Sequence, residues 1–368
     1  TMRYSAGRFG FNDSYCGIIE NNHVIRYGDE QTLKGETGGF NIDYASEIMV
    51  LKNHMEVIGK SIRNQNQGET ILSQGGNPGN QDAGPVSSAT ATTIVDASNK
   101  WHTTIRTSSL GCSDAVAIIA GRGAGQWRFI EGNTSNTIKV DRPWDIIPDK
   151  DSYYVIMRWS ARSWIVKDNV LEGNNRGIWF YCGDNDVVIA DNTLTNSDGI
   201  YVRSDQRITG PEHGRFNLGW NTVIEGNKVI NNNGLRPAYV DAVLALGVPY
   251  TLHGIGTIGL EIRHNYVEAY QPNSKSFIPG EGYWNSVESR SLPTTDQIGI
   301  LGTIFESNKV VNADLGYRLS SRVSQTIIKD PVYQNVKVKN TDLLSESRKS
   351  EGTVQDTTSA SRLIKRKK

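Results

Sequence analysis

Two short stretches place aromatic and charged side chains at every second position. Gly177–Asp184 reads GIWFYCGD, and Gly199–Asp205 reads GIYVRSD. In each, apolar residues two apart alternate with other types, which is the period of a strand with one buried face. Taking Ile178 and Phe180 as inward turns Trp179 and Tyr181 outward. The same reading turns Tyr201 and Arg203 outward. Both stretches close on a carboxylate, Asp184 and Asp205. Aromatic faces stack on pyranose rings, while Arg and carboxylates bond hydroxyls or acidic groups. A carboxylate pair can also supply an acid and a base, or a nucleophile, to a glycosidic bond.

The alternation extends to other segments. It turns Asn41 and Asp43 outward near the start, Arg318 outward near the end, and Asp241 outward if Val240 is inward. Glu69, in QGETILSQGG, stands where the pattern expects an inward apolar residue. The candidate catalytic residues are therefore Asp43, Glu69, Asp184, Asp205 and Asp241. The candidate substrate-binding residues are Trp179, Tyr181, Tyr201, Arg203, Trp220, Trp284 and Arg318. Trp220 and Trp284 belong to long segments, 203–221 and 268–297, that would wall a groove; segments 25–39 and 230–260 are similar. A plainer reading competes for each residue: carboxylates cap turns, and outward aromatics anchor loops.

Other chemistries lack a signature. No Gly-x-Ser-x-Gly is present, so acyl transfer has no nucleophile motif. The six His are scattered, so no zinc-type metal site is expected. A lyase would need a base such as Arg203, Arg318 or Arg322, and Ca²⁺ to neutralise a uronate. No Asp-rich calcium loop of clear spacing is seen, and no other cofactor is expected. Cys16, Cys112 and Cys182 have neither metal nor redox spacing and read as buried free thiols.

These residues need a scaffold, and a second pattern supplies it. The frame is apolar, two residues, Asn, one residue, apolar. Ile19-Asn22-Val24, Val50-Asn53-Met55, Val166-Asn169-Leu171 and Ile189-Asn192-Leu194 fit it. Ile224-Asn227-Val229, Ile262-Asn265-Val267 and Phe305-Asn308-Val310 follow, and Ile328-Pro331-Tyr333 closes with Pro in place of Asn. Most steps between successive Asn residues run from 23 to 43 residues, a solenoid period varied by insertions. An inward Asn bonds backbone at a bend and can bond its own copy in the next coil. Gly-Ile-x-Phe (Gly177–Phe180), Gly-Ile-x-Val (Gly199–Val202), Gly-Phe-Asn-Ile (Gly39–Ile42) and Gly-Tyr-Arg-Leu (Gly316–Leu319) mark a second strand of each coil.

The Asn-bearing frame resembles the right-handed parallel β-helix of the pectate-lyase-like superfamily, over about residues 12–76 and 160–344. The resemblance implies an all-β solenoid. It is not specific for one family, because polysaccharide lyases, glycoside hydrolases, epimerases and phage tailspikes share the fold, and no single family's catalytic motif is matched.

The frame divides the chain. Residues 1–76 read as β-helix coils, truncated upstream because the chain opens in mid-pattern. Residues 77–159 break the frame with a Gly/Pro/Ser/Thr linker and alternating runs, and read as an inserted antiparallel β-module. Its GRGAG lacks the Lys-Ser/Thr ending of a phosphate loop and reads as a hairpin turn. Residues 160–344 resume the coils, and 345–368 read as a disordered tail. With 39 basic and 39 acidic residues the formal charge is zero, so no broad pull toward nucleic acid or membrane surfaces is expected. No apolar run is long enough for a membrane helix. The expectation is an extracellular or cell-surface protein, a monomer or homotrimer, that degrades a polysaccharide as a glycoside hydrolase. The alternatives are a lyase or epimerase acting on uronates, and a non-catalytic, tailspike-like glycan-binding adhesion protein.

Overall fold

The computed structural model describes residues 1–4, 9–28, 39–59, 68–75, 82–101, 113–174, 176–181, 183–208, 214–234, 237–246, 252–270, 280–285, 298–319, 323–342 and 354–356. The fold is a parallel β-helix with three sheets. The first sheet holds the strands that precede each ladder Asn: Tyr15–Glu20, Ala45–Leu51, Ala161–Lys167, Asp184–Ala190, Gly219–Glu225, Glu261–Arg263, Ile304–Glu306 and Thr326–Lys329. Val354–Asp356, in the segment that reads as a tail, pairs in parallel with Thr326–Ile328 and adds a last strand. The second sheet follows the Asn, from Met2–Tyr4 and His23–Gly28 to Tyr266–Glu268. The third carries the Gly-Ile strands, among them Phe40–Asp43, Glu69–Ser73, Arg176–Phe180, Ile200–Ile208 and Val240–Leu246. Lys309–Leu319 and Val332–Asp342 are long enough to run through both the second and third sheets.

The Asn residues stack in one interior line. The Nδ2 of Asn53 donates to Oδ1 of Asn169, and the same bond joins 169 to 192, 192 to 227, 227 to 265 and 265 to 308, at 2.9–3.0 Å. Each backbone N–H in that run also donates to the next Oδ1, at 3.0 Å. The second Nδ2 hydrogen reaches back to the preceding coil, as from Asn192 to the Val166 carbonyl at 2.9 Å. These amides are buried, yet each bend finds its partners along the ladder, as buried polar groups must. The ladder stops at Pro331, which has no side-chain amide to offer. Apolar residues of the frame fill the interior around it, including Val50, Leu171, Leu194, Val229, Ile262 and Phe305.

The Gly of the second frame is required by close approach. A Cβ on Gly199 would lie 2.0 Å from the Tyr239 carbonyl oxygen, and one on Gly177 would lie 2.4 Å from that of Gly199. The coil turns so tightly there that adjacent backbones leave no room for a side chain.

Coils on either side of the long break stack directly. Met55 pairs with Leu171, Val50 with Val166, and Ile71 with Ile178. Between them, strands from Asp82–Pro85 to Tyr153–Met157 form a seven-stranded antiparallel sheet. GRGAG is the turn joining Ala115–Ala120 to Trp127–Asn133. One face of this sheet buries its own core around Val116, Ile118, Ile138 and Tyr154. The other packs Ala117, Val155 and Met157 onto Trp159, Phe216, Leu218 and Trp220 of the solenoid side. Among the described residues there is no helix long and apolar enough to cross a membrane.

Candidate functional site

The outer face of the third sheet gathers most of the outward residues into one cluster. Register aligns Trp179 with Tyr201, Tyr201 with Asp241, Asp241 with Gly280 and Gly280 with Arg318. Trp179 stacks on Tyr201, with ring centroids 4.3 Å apart and planes at 29°. The Arg176 guanidinium covers the Trp179 ring at 4.0 Å. Tyr239 meets the same indole edge-on at 6.3 Å, and its hydroxyl donates to Asp198 Oδ2 at 3.4 Å. Trp179 is thus clamped between partners. The rings of Tyr181 and Tyr201 beside it are half-buried.

Around these rings the charges are paired. Arg176 Nη1 lies 3.5 Å from Glu69 Oε1 and donates to the Tyr181 hydroxyl at 2.8 Å. That hydroxyl donates in turn to Glu69 Oε1 at 3.5 Å. Arg203 donates to Asp205 Oδ1 through Nη2 at 2.7 Å and Nε at 3.2 Å, with its guanidinium 5.2 Å from the Tyr181 ring centre. Arg318 reaches across the bare Gly280 row to Asp241 Oδ1, at 2.5 Å. Glu69, Asp198, Arg203, Asp205, Asp241 and Arg318 are all less than one-tenth exposed. Burial pushes the Glu69 carboxyl above the ordinary glutamate range, against the lowering effect of backbone hydrogen bonds and Arg176. Burial also pushes the Tyr181 phenol up to about 12.

The candidates divide. Trp179, Tyr181, Tyr201, Arg203, Asp205, Asp241, Arg318 and Glu69 come together on this face. Asp43 sits nearer the N-terminus of the solenoid, where it accepts from Asn41 Nδ2 at 3.0 Å and the Gln74 amide at 2.6 Å, a turn-bonding role. Asp184 does not follow the outward strand as expected. It opens a first-sheet strand and is fully buried, accepting the Thr222 hydroxyl at 2.5 Å. Burial pushes its pKa up to about 7. Trp220 does not wall the groove either: it is buried against Trp159 at 6.0 Å, beneath the inserted sheet. The expectation failed because long segments do not all rise on one face; this one is anchored by the inserted module. Trp284 lies in the strand Gly280–Asn285, but its side chain is outside the described residues, as are Arg322, Cys112 and Cys182. Cys16 is exposed rather than buried, its thiol donating to Glu47 Oε2 at 3.1 Å.

Register also separates Asp205 from Asp241. Asp205 pairs with Ala245, four residues beyond Asp241, so their Cα atoms lie about 14 Å apart at ~3.3 Å per residue and ~4.8 Å per coil. That is too far for a glycosidase pair. Arg176 on Trp179, and Asp198 with its bond from Tyr239, were missed by pattern reading. The available signal was the position before each frame Gly: Arg176 before Gly177 and Asp198 before Gly199. Elsewhere, a cavity of about 600 Å³ lies where the module meets the solenoid, lined by Tyr153, Leu252, His253 and Ile298. His253 stacks on Tyr153 at 5.2 Å, and burial lowers its pKa. Among the described residues no carboxylate lines that cavity.

No family model matches the chain, and no curated protein does. Among solved structures it is similar to the tailspike protein gp49 from Pseudomonas phage LKA1, at 10% identity and TM-score 0.22, over 90% of this chain and 70% of that one. It is also similar to the tailspike gp61 of Pseudomonas phage phi297, at 9% identity and TM-score 0.20, over 84% and 66%. A third is the Gp54 tailspike of Acinetobacter baumannii bacteriophage AP22, in complex with A. baumannii capsular saccharide, at 11% identity and TM-score 0.21, over 94% and 61%. The chain therefore spans about two thirds of the length of these proteins.

Proposed function

We propose that the protein binds a polysaccharide along the outer face of the third sheet and cleaves it by hydrolysis. The observation that carries this reading is the concentration of buried charge on an outward sheet face: Glu69, Asp198, Arg203, Asp205, Asp241 and Arg318 around an aromatic cluster. Buried ion pairs contribute little to stability compared with apolar packing, so stability alone gives no reason to gather them there. Clusters that perturb a carboxyl's pKa in this way mark sites of chemistry more often than chance.

In this reading Tyr181 and Tyr201 contact sugar rings, while Arg203 and Arg318 hold hydroxyls or acidic substituents. Glu69 is the general acid, since a raised pKa keeps a carboxyl protonated for donation to the leaving oxygen. Asp198 is the base. Its carboxylate accepts the Tyr239 hydroxyl, and it precedes the strand Ile200–Ile208, which lies two coils on from the strand of Glu69. Two coils then separate the acids by about 10 Å at Cα. Carboxyl groups carried at that distance can reach the ~6.5–9.5 Å of an inverting hydrolase.

The test is a panel of neutral and uronate-containing polysaccharides, assayed for new reducing ends and for ultraviolet-absorbing products. Reducing ends without ultraviolet absorbance, lost in Glu69→Gln, are expected. Unsaturated products would replace hydrolysis with elimination. Binding without cleavage on every polymer would make the protein an adhesion module.

A further inference from the structure

Outside the third sheet, four metal-ligating side chains converge on the second. His23 pairs with His54, and Glu56 lies two residues beyond His54 in the same strand, beside Glu172 in the next coil. The two imidazoles are stacked face to face, with centroids 4.7 Å apart and planes at 4°. His23 Nε2 lies 2.7 Å from Glu56 Oε1, and His54 Nε2 lies 2.9 Å from Glu172 Oε2. The ligand atoms of His23, His54 and Glu56 all fall within 4.8 Å of one another. All four side chains are part-exposed, so an ion can reach them and they can rotate.

We propose that His23, His54, Glu56 and Glu172 bind a divalent transition-metal ion of the zinc class, which pins three coils together. Two imidazole nitrogens and two carboxylate oxygens are a donor set such an ion accepts in tetrahedral geometry. Ligands at about 2.0–2.2 Å from zinc stand roughly 3.3 Å from each other, so the His23, His54 and Glu56 ligand atoms, now within 4.8 Å, close by at most about 1.5 Å, and Glu172 swings in from its contact with His54 as the fourth ligand. The carboxylates supply two negative charges to a divalent cation, and neutral imidazoles supply the nitrogens. The position after the ladder Asn is His only in these two coils; farther along it is Val170, Thr193, Lys228, Tyr266 and Lys309. His54 and Glu172 sit on coils that are neighbours in space but separated in sequence by the inserted module. An ion there would add a side-chain clamp to the strand pairing and the Asn53–Asn169 bond that already join the N-terminal coils to the rest across that break.

The experiment uses the untagged full chain, stripped with a chelator and titrated with Zn²⁺ by calorimetry, and with Co²⁺ by visible absorption. One equivalent per chain and a tetrahedral Co²⁺ spectrum are expected. His23→Ala and His54→Ala should each raise Kd at least tenfold, and Zn²⁺ should raise the wild-type melting midpoint but not that of the double variant. If the His variants misfold by circular dichroism, Glu56→Gln with Glu172→Gln keeps both rings and should still weaken binding. Absence of stoichiometric binding by the wild type, or undiminished binding by a folded variant, would overturn the site. Binding with no change in midpoint would overturn the pinning role.

Discussion

The inward ladder and the outward row of the third sheet both stack one residue per coil, and they differ in every other respect. From Asn53 to Asn308 the ladder repeats a single residue, and each amide bonds its own copy. The outward row runs Asn41, Leu72, Trp179, Tyr201, Asp241, Gly280 and Arg318, with no two alike. Where one coil must satisfy the next, the chain repeats itself. Where it faces outward, the backbone already supplies coil-to-coil bonding, and side chains are released to carry chemistry. A repeated position thus reports folding, and a non-repeated position beside it reports function.

The sharpest way to break this contrast is at the ladder. Asn192→Leu removes the acceptor of the Asn169 amide groups and the donor to the Val166 carbonyl. With two or three buried groups unsatisfied at ~1–3 kcal/mol each, a loss of about 2–9 kcal/mol is expected in urea unfolding. A loss under about 1 kcal/mol would mean that the ladder is not what holds the coils.

On the outer face the effect should fall on turnover instead. Glu69→Gln is expected to lower kcat by about 10²–10⁴-fold on any polymer the wild type cleaves, as loss of a general acid does, with the melting midpoint nearly unchanged. Unchanged kcat would remove Glu69 from the mechanism.

Asp184 tests an intermediate case, a buried carboxyl in neither pattern. Its pKa of about 7 in the folded protein exceeds the 3.8 of a free side chain, so the folded state holds the extra proton. Stability through this group is therefore full below about pH 4 and falls as pH rises toward 7. Asp184→Asn cannot ionise and should be more stable than wild type at pH 8, by about 2–4 kcal/mol, with the gap closing at pH 4. Equal stability at both pH values would show that the carboxylate is well solvated.

The smallest effect belongs to an ordinary surface pair. Arg263 bridges Glu225 at 3.0 Å and Glu261 at 2.8 Å, all about one-third exposed. Arg263→Ala should change stability by less than about 0.5 kcal/mol. A larger loss would blur the line drawn between the ladder and the outer faces.

The parallel coils, the interior Asn line and the two-residue alternation that turns Trp179, Tyr201, Arg203 and Arg318 outward were legible in the chain, because each depends on a local period that recurs. A repeat carries its register with it: aligning Asn with Asn also aligns Leu171 with Leu194 and Leu194 with Val229, whereas the third-sheet pairs lie at unequal distances from the Asn. Which residues meet across coils was decided only by the tertiary structure. The site of Trp220 was set by the inserted sheet packing on the solenoid, a contact without periodicity, and that of Asp184 by the first-sheet strand it opens, between Ala161 and Gly219. The Arg176 clamp on Trp179 depends on side-chain torsions at the start of a strand. The pairing of His23 with His54 was latent in the Asn-His dipeptides at 22–23 and 53–54, but Glu172 joins them only because the solenoid closes over the module. Local periods determine which way a side chain faces; its partners come from elsewhere in the chain, and only packing brings them into contact.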